Sequence, residues 1–202
     1  MQIELREAIR GAEAAFGLAL SDSVIDRLTD YYELVQSNNA LLHLVGPCSA
    51  EEFATRHILE SLRLLPHLPN GAKFVDVGPG GGLPSIPCLL VRDDLRATLI
   101  ESKEKKAKFL TDVIETLGLA GRATVINKQY SECDARDAEF ITSRALDRFT
   151  ERLPHLVRWS KKRTLLLFGG VSMRDGLQKL KLDFVQELIP LSERRFIFRT
   201  RP

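Results

Sequence analysis

A short apolar strand followed by a glycine-rich turn constrains the fold of this chain more than any other feature. Residues 73–83 read Lys-Phe-Val-Asp-Val-Gly-Pro-Gly-Gly-Gly-Leu. Apolar residues surround Asp76, which is typical of a buried parallel strand. Glycine tolerates positive φ and lets a ligand approach the bare backbone. Residues 83–92 then predict a helix entered through Pro84, so the segment has the strand–turn–helix order of a nucleotide-binding βαβ unit.

The spacing of the glycines indicates which nucleotide the turn would hold. A dinucleotide fingerprint has glycine at its first, third and sixth positions, but here the sixth position counted from Gly78 is Leu83. An acidic residue before the glycines, Asp76, suits a cofactor with a cationic amino-acid end better than a pyrophosphate. Glu101 lies at the end of the next predicted strand, where a carboxylate can accept both ribose hydroxyls of an adenosine. These features favour S-adenosylmethionine; a structural turn with a solvated Glu101 is the alternative.

Length and composition indicate a globular protein. The 202 residues predict one domain, with room for an appended subdomain. A net charge of +2 does not by itself indicate a nucleic-acid-binding protein. We find no signal peptide and no apolar run of about 18 residues, so we expect a cytoplasmic protein without membrane contact. The three cysteines are widely spaced and the histidines lack ligand spacing, so we expect no metal site.

Three helices are predicted before the glycine turn. Apolar residues recur at helical spacing over residues 3–18, over residues 22–38, and over residues 50–65. The third helix opens with a capping box from Ser49 to Glu52. We therefore expect residues 1–70 to form a helical cap on an α/β core of residues 71–202.

Strands and helices alternate from residue 73 onward. The predicted strands are 73–78, 96–102, 123–128, 138–143, 163–168, 183–189 and 194–200. The predicted helices are 83–92, 103–119, 147–159 and 172–181. This alternation predicts a parallel sheet for the first five strands. The last two strands follow each other across a short turn, so we expect them to form a hairpin.

Several stretches together resemble the GidB family of bacterial 16S ribosomal RNA guanine-N7 methyltransferases, also called RsmG. They are Arg56-His57-Ile58-Leu59-Glu60-Ser61, Phe74 to Gly78 with Gly80, Gly82, Leu83, Pro84, Ile86 and Pro87, Glu101-Ser102 with Lys105-Lys106 and Phe109-Leu110, and Ser143-Arg144-Ala145. The resemblance implies the α/β fold of a class I S-adenosylmethionine-dependent methyltransferase, a Rossmann-like, mostly parallel sheet with an antiparallel last strand. It also implies methyl transfer to N7 of a guanine, with 16S rRNA or the small ribosomal subunit as partner.

The glycine turn and the resemblance together give a set of expected cofactor-binding residues. They are Asp76, Gly78, Gly80, Gly82, Leu83, Glu101, Ser102, Gln129, Tyr130 and Arg144. Backbone amides near Gln129 are expected to contact the adenine. Arg144 is expected to anchor either the methionine carboxylate or an RNA phosphate, with a surface ion pair as the alternative. His57 is a candidate for positioning cofactor or RNA, or else an ordinary helix histidine bonded to a loop.

The chemistry implied by the resemblance requires no general base, because guanine N7 has a lone pair and no proton to lose. We therefore expect catalysis by positioning. A basic surface is needed for RNA, and Lys105 and Lys106 open the helix after Glu101, close to the expected cleft. We expect the protein to act as a monomer.

Two departures from the family pattern keep other functions open. The family usually has Asn-x-x-x-Asn-Leu-Thr before the third helix, whereas here Asn39 is followed by His43-Leu44-Val45. It usually has Lys-Gly after the fifth strand, whereas here Phe168 precedes the glycines. A catalytically silent S-adenosylmethionine-binding module is therefore one alternative. A nicotinamide-dependent oxidoreductase is another, and Leu83 disfavours it.

Overall fold

The computed structural model describes residues 2–135, 137–144 and 149–201. The α-helices are α1 (Gln2–Ala12), α2 (Asp22–Leu42), α4 (Ser85–Val91), α5 (Glu104–Thr116), α6 (Phe149–Trp159) and α7 (Val171–Lys179). Helix α3, residues 50–62, has α-helical ends, Ala50–Glu52 and Glu60–Leu62, around a π-helical segment, Phe53–Leu59. Short 3₁₀ turns lie at Glu13–Phe16, Leu65–His67 and Tyr130–Glu132. None of the helices in these ranges is long and apolar enough to cross a membrane.

Seven strands form one sheet, in the order β3-β2-β1-β4-β5-β7-β6. They are β1 (Lys73–Val77), β2 (Arg96–Ile100), β3 (Ala123–Ile126), β4 (Phe140–Ser143), β5 (Thr164–Gly169), β6 (Phe184–Leu188) and β7 (Phe196–Thr200). The first five strands pair in parallel, while β7 pairs antiparallel with both β5 and β6. The predicted parallel sheet and its terminal hairpin are both confirmed.

The strand order reverses beside β1, which has β2 on one side and β4 on the other. Val77 pairs with Ile100, and Asp76 pairs with Thr142, so the carboxyl ends of the three strands lie at one edge. Ligands of open α/β sheets bind at such a reversal, outside the carboxyl ends of the strands. The register therefore brings the glycine turn, Glu101 and Arg144 to the same edge.

Helices cover both faces of the sheet because side chains alternate along each strand. Phe74 joins one buried cluster, which also contains Ile25 and Leu28 of α2 and Leu89 of α4. Val75 joins the cluster on the opposite face with residues of α6 and α7. The first cluster extends without interruption from the N-terminal helices to the sheet. The division into a cap of residues 1–70 and a core of residues 71–202 stays a prediction.

Several element boundaries differ from those predicted. The first helix ends at Ala12 and passes through a 3₁₀ turn to Gly17, whose φ of 70° breaks the helix. Helix α2 continues past the two asparagines to Leu42. The helix after the glycine turn starts at Ser85, because Pro84 is its N-cap. The start of the predicted helix 147–159 lies outside the described residues, and α6 is described from Phe149.

Candidate functional site

The glycine turn is held in place from several sides. Gly78 has a φ of 70°, and its N–H donates to the carbonyl of Ile100, 2.9 Å away. The carbonyl of Gly81 accepts a hydrogen bond from the hydroxyl of buried Tyr31 in α2, at 2.8 Å. Gly82 has a φ of 98°, and a Cβ there would lie 2.5 Å from Cγ1 of Ile86. Gly82 is therefore required for close packing of the turn, whereas Gly78 and Gly80 line the adjoining cavity.

Two adjoining cavities lie at the carboxyl edge of the sheet and share Gly78. The first, which we call the turn cavity, has a volume of about 260 Å³. It is lined by residues 44–46, His57, residues 78–81, Leu83, Lys106 and Arg144. The second, which we call the side cavity, has a volume of about 20 Å³. It is lined by Val77, Gly78, Ile100, Ser102, Lys128, Gln129, Tyr130 and Arg152.

A larger cavity of about 810 Å³ lies elsewhere, between α1, the start of α3 and Leu191. It contains none of the predicted site residues. Because sites in parallel sheets form at the carboxyl ends of the strands, we assign the functional site to the two smaller cavities rather than to this one.

Asp76, at the end of β1, is completely buried. Its Oδ2 accepts a hydrogen bond from the hydroxyl of Ser85, while Oδ1 has no partner among the described residues. Burial raises the pKa of Asp76 to about 8, although the hydrogen bonds from Ser85 oppose this shift. A buried carboxylate oxygen without a donor is costly, and a cationic group of a ligand would satisfy it.

Glu101 follows β2 and is also buried. Its Oε2 accepts from the backbone N–H of Gly80 at 3.1 Å, and its Oε1 accepts from the N–H of Lys103 at 2.9 Å. Since each carboxylate oxygen has a further lone pair, both remain able to accept a hydroxyl hydrogen bond. Glu101 thus connects the glycine turn to the start of α5 and presents the acceptors that ribose hydroxyls require.

Tyr130 lines the side cavity and packs in a cluster with the rings of His155 and Trp159. Buried Tyr130 shares a 3.0 Å hydrogen bond with Nδ1 of His155, and its ring meets that of Trp159 edge to face. The N–H of Gln129 donates to Oε2 of Glu132 at 3.0 Å. This particular amide is therefore already bonded and is not free to contact an adenine. Gln129, Tyr130 and Ser102 line this cavity together, and their role in cofactor binding stays a prediction.

Arg144 lies just beyond β4 and is directed toward α3. Its Nη1 donates to the carbonyl of His57 at 3.3 Å and to the hydroxyl of Ser61 at 3.0 Å. Its Nη2 donates to the carbonyl of Arg56 and lies 3.4 Å from Oε1 of Glu60. Burial lowers the pKa of Arg144, and the charge of Glu60 counters that effect. Arg144 therefore lines the turn cavity with its terminal nitrogens already bonded to α3.

His57 lies in the π-helical segment of α3 and lines the turn cavity. Burial and the nearby charge of Arg144 lower the pKa of His57 to about 4, so the imidazole is neutral near pH 7. Its Nδ1 is buried without a hydrogen-bond partner in the part of the chain that the structure describes. A neutral imidazole cannot supply a charge, but it can donate one hydrogen bond and accept another.

The loop after α2 forms one wall of the turn cavity. His43 has a φ of 48° and caps α2, while Oδ1 of Asn39 accepts from the N–H groups of Leu44 and Val45. Lys106 donates to the carbonyl of His43 at 2.9 Å, so its ammonium group supports this loop. Lys105 is exposed, and it is the one of the two predicted RNA-binding lysines without such a contact among the described residues.

Several residues of this site were not predicted from the sequence, among them four that are polar or charged. Ser85 bonds Asp76, Tyr31 holds the glycine turn, and Lys128 and Arg152 line the side cavity. Ser85 lies two residues after Leu83, so its proximity to the turn was a usable signal. Nothing in the sequence pattern links Tyr31 to a turn fifty residues later.

Comparison with known proteins supports a methyltransferase. The family model described as rRNA small subunit methyltransferase G, GidB, matches residues 24–189. A protein from Neisseria meningitidis named ribosomal RNA small subunit methyltransferase G is 36% identical over 168 residues, covering 83% of this chain and 78% of that protein. A protein of the same name from Sorangium cellulosum is 38% identical over 163 residues, covering 76% and 67%.

A solved structure shows that the fold is shared with S-adenosylmethionine-dependent methyltransferases. The O-methyltransferase from Bacillus cereus, solved in complex with SAH, has a TM-score of 0.60 at 17% identity. The match covers 92% of this chain and 93% of that one. The expected class I methyltransferase fold is confirmed.

Proposed function

The chain belongs to the rRNA small subunit methyltransferase G family and is an S-adenosylmethionine-dependent methyltransferase of 16S rRNA, and we propose that its acceptor atom is N7 of a guanine. The observation that carries the assignment of the methyl donor is the pair of buried carboxylates, Asp76 and Glu101, at the ends of adjacent strands. Oδ1 of Asp76 has no hydrogen-bond donor among the described residues. Both carboxylate oxygens of Glu101 can accept further hydrogen bonds.

The residues present fit S-adenosylmethionine, which supplies the methyl group when bound. Asp76 would hold the cationic amino group, because its Oδ1 is buried and lacks a donor among the described residues. Glu101 would hold the ribose hydroxyls. Gly78 connects the two cavities, so Tyr130 and Gln129 would contact the base while the turn cavity would receive the methionine end.

The residues of the turn cavity suit a reaction that needs positioning but no proton transfer. The pKa of His57 is about 4, which makes its imidazole a weak base near pH 7, and Arg144 is held by α3, so neither is set up as a general base. Guanine N7 offers a lone pair and has no proton to remove. Fixed orientation of two reactants can lower a barrier by roughly 7–11 kcal/mol. The protein therefore contributes binding and orientation.

The proposed partner and the proposed location in the cell follow from the ribosomal RNA substrate. The acceptor is ribosomal RNA, and we propose that the chain acts as a monomer on 16S rRNA or on the small subunit, in the cytoplasm. Phe168, at the position of the family's usual lysine, is buried in the hydrophobic cluster of the cap and sheet. That position therefore serves packing in this chain, and RNA contacts must come from other residues.

The test is transfer of a tritiated methyl group to small subunits that lack the modification, followed by mapping of the labelled nucleotide. We expect label at a guanine N7. Glu101→Gln should raise the Kd for S-adenosylmethionine by at least about tenfold, because a charge-assisted hydrogen bond contributes roughly 1.5–3 kcal/mol. Glu104→Gln, at an exposed site on α5, is the matched control and should leave the Kd unchanged. Tight cofactor binding without methyl transfer would instead favour the silent binding module.

A further inference from the structure

Glu60 is a buried carboxylate that connects two arginines from distant parts of the chain. It lies just after the π-helical segment of α3 and is only 3% exposed. Its Oε1 lies 3.4 Å from Nη2 of Arg144, which follows β4. Its Oε2 accepts a 2.7 Å hydrogen bond from Nε of Arg195, which precedes β7. We call Arg144, Glu60 and Arg195 the Glu60 triad; Arg144 and Glu60 are buried, whereas the side chain of Arg195 is partly exposed.

Stability alone does not account for the buried pair of Arg144 and Glu60. Removing charges from water costs several kcal/mol per ion, and apolar replacements of buried ion pairs are often as stable or more stable. The triad does fix the orientation of the Arg144 guanidinium. The other acceptors for Arg144 are the carbonyls of Arg56 and His57 and the hydroxyl of Ser61, all of them neutral. Among the described groups bonded to Arg144, Glu60 is thus the one that carries a charge.

The Glu60 triad lies beside the turn cavity, so the orientation of Arg144 bears on ligand binding there. Arg144 and His57 both line the turn cavity, and both belong to this network. Of the three charged residues, Arg144 lines the cavity, and its partner Glu60 is shared with Arg195, so the guanidinium stays a fixed positive group at the cavity wall. A fixed positive charge in a site of low dielectric favours an anionic group of a ligand.

We propose that Glu60 is a positioning residue, which holds the Arg144 guanidinium against the wall of the turn cavity so that the site favours the carboxylate end of the cofactor. Arg195 keeps Glu60 oriented from the opposite side. This inference rests on the proposed function, because it assigns the methionine end to the turn cavity.

The test is a double-mutant cycle with calorimetric Kd values for S-adenosylmethionine. We expect Glu60→Gln to raise the Kd by about tenfold, and Arg144→Gln to raise it at least as much. Because Glu60 acts through Arg144, adding Glu60→Gln to Arg144→Gln should leave the Kd unchanged. Glu60→Asp, which retains the charge, should restore part of the affinity. The KM for RNA should be the same in Glu60→Gln as in the wild type.

Two further variants test the far end of the triad and serve as controls. Arg195→Gln should raise the Kd by about threefold, and only where Arg144 is present. Arg194→Gln, at the exposed neighbouring residue, should leave the Kd unchanged. Circular dichroism and thermal unfolding report whether each variant folds. If Glu60→Gln does not fold, the double-mutant cycle of Arg195→Gln with Arg144→Gln tests the positioning role instead. An effect of Arg195→Gln on the Kd only where Arg144 is present supports that role, and additive effects overturn it.

The outcomes separate this inference from the proposed function. Wild-type protein that does not bind S-adenosylmethionine would overturn the proposed function. Wild-type binding with an unchanged Kd in Glu60→Gln, or with effects that add to those of Arg144→Gln, would overturn the positioning role alone. A lowered unfolding temperature with an unchanged Kd would assign Glu60 to structure only.

Discussion

Asp76 connects the folding of β1 to ligand binding through a single carboxyl group. The group is completely buried, and its pKa is raised to about 8 mainly by that burial. In the unfolded chain its pKa would be near 3.8. Between these values the folded state binds more protons than the unfolded state, so the contribution of Asp76 to stability falls as pH rises from about 4 to about 8. A cation beside Oδ1 of Asp76 would favour the ionised carboxylate and so offset this loss of stability.

The prediction for Asp76 concerns both binding and stability. Binding of S-adenosylmethionine at pH 7 should release a proton, seen by calorimetry in two buffers of different ionisation enthalpy. Asp76→Asn should weaken binding, abolish that release, and make the protein more stable at pH 8 than the wild type by up to a few kcal/mol. Thermal unfolding at pH 5 and pH 8 measures the last effect. Proton release that persists in Asp76→Asn would contradict the assignment.

Single residues of the site were predictable where a local pattern marks them. Asp76, Gly78 and Glu101 stand next to apolar strands, and parallel strands bring their carboxyl ends to one edge. The bonds from Ser85 to Asp76 and from Tyr31 to Gly81 depend on how α4 and α2 pack. Sequence periodicity marks which face of a helix is buried, but it does not tell which atom the face will meet.

At the scale of elements, the end of α2 determines the shape of the turn cavity. His43 is the C-cap of α2 and has a left-handed backbone conformation. Its N–H donates to the carbonyl of Asn39 at 2.9 Å. The residues that follow pack on the glycine turn, where a Cβ on Gly81 would lie 3.3 Å from Cβ of Leu44. Asparagine is the non-glycine residue best suited to such a cap. His43 stands where the family pattern has asparagine, a residue type that also suits this backbone conformation.

Two substitutions at His43 should have different effects on stability. His43→Asn should retain the loop and leave unfolding free energy equal to the wild type or higher by about 0.5 kcal/mol. His43→Val should lower it by about 1–2 kcal/mol, because a β-branched residue resists positive φ. Urea unfolding gives the free energies, and the Kd for S-adenosylmethionine should rise in the valine variant only. Equal stabilities for the two variants would show that the cap geometry is unimportant.

The order and type of the elements were predictable, but some of their internal geometry was not. Every predicted strand is present, because alternating apolar runs and helical segments mark a parallel sheet. The π-helical segment Phe53–Leu59 has no distinct signature, since its apolar residues also fit an ordinary helix. Arg144 bonds to the carbonyls of Arg56 and His57 in that segment. The unusual geometry is thus tied to a contact with a distant strand end.

At the scale of the molecule, the small net charge conceals an uneven distribution around the site. The total is only +2, yet Lys103, Lys105 and Lys106 begin α5 beside Glu101, at the edge that holds both cavities. Lys106 supports the loop after α2, so its removal would disturb the cavity as well as the charge. Lys105 is exposed and can meet a phosphate without such a rearrangement. Helix α7 runs from the carboxyl end of β5 back along the sheet, which puts exposed Lys179 near the opposite edge.

Reversing the charge of one lysine at each edge of the sheet tests which surface binds the RNA. Lys105→Glu should weaken binding to 16S rRNA and reduce the slope of log Kd against log salt by about one, as expected when one phosphate contact is lost. Lys179→Glu changes the net charge by the same amount at the other edge and should alter neither quantity. Both variants should bind S-adenosylmethionine with the wild-type Kd, because neither residue lines a cavity of the site. Filter binding over a range of salt concentrations gives the slopes. An equal loss in the two variants would mean that RNA responds to total charge, and the surface beside α5 would then not be the docking face.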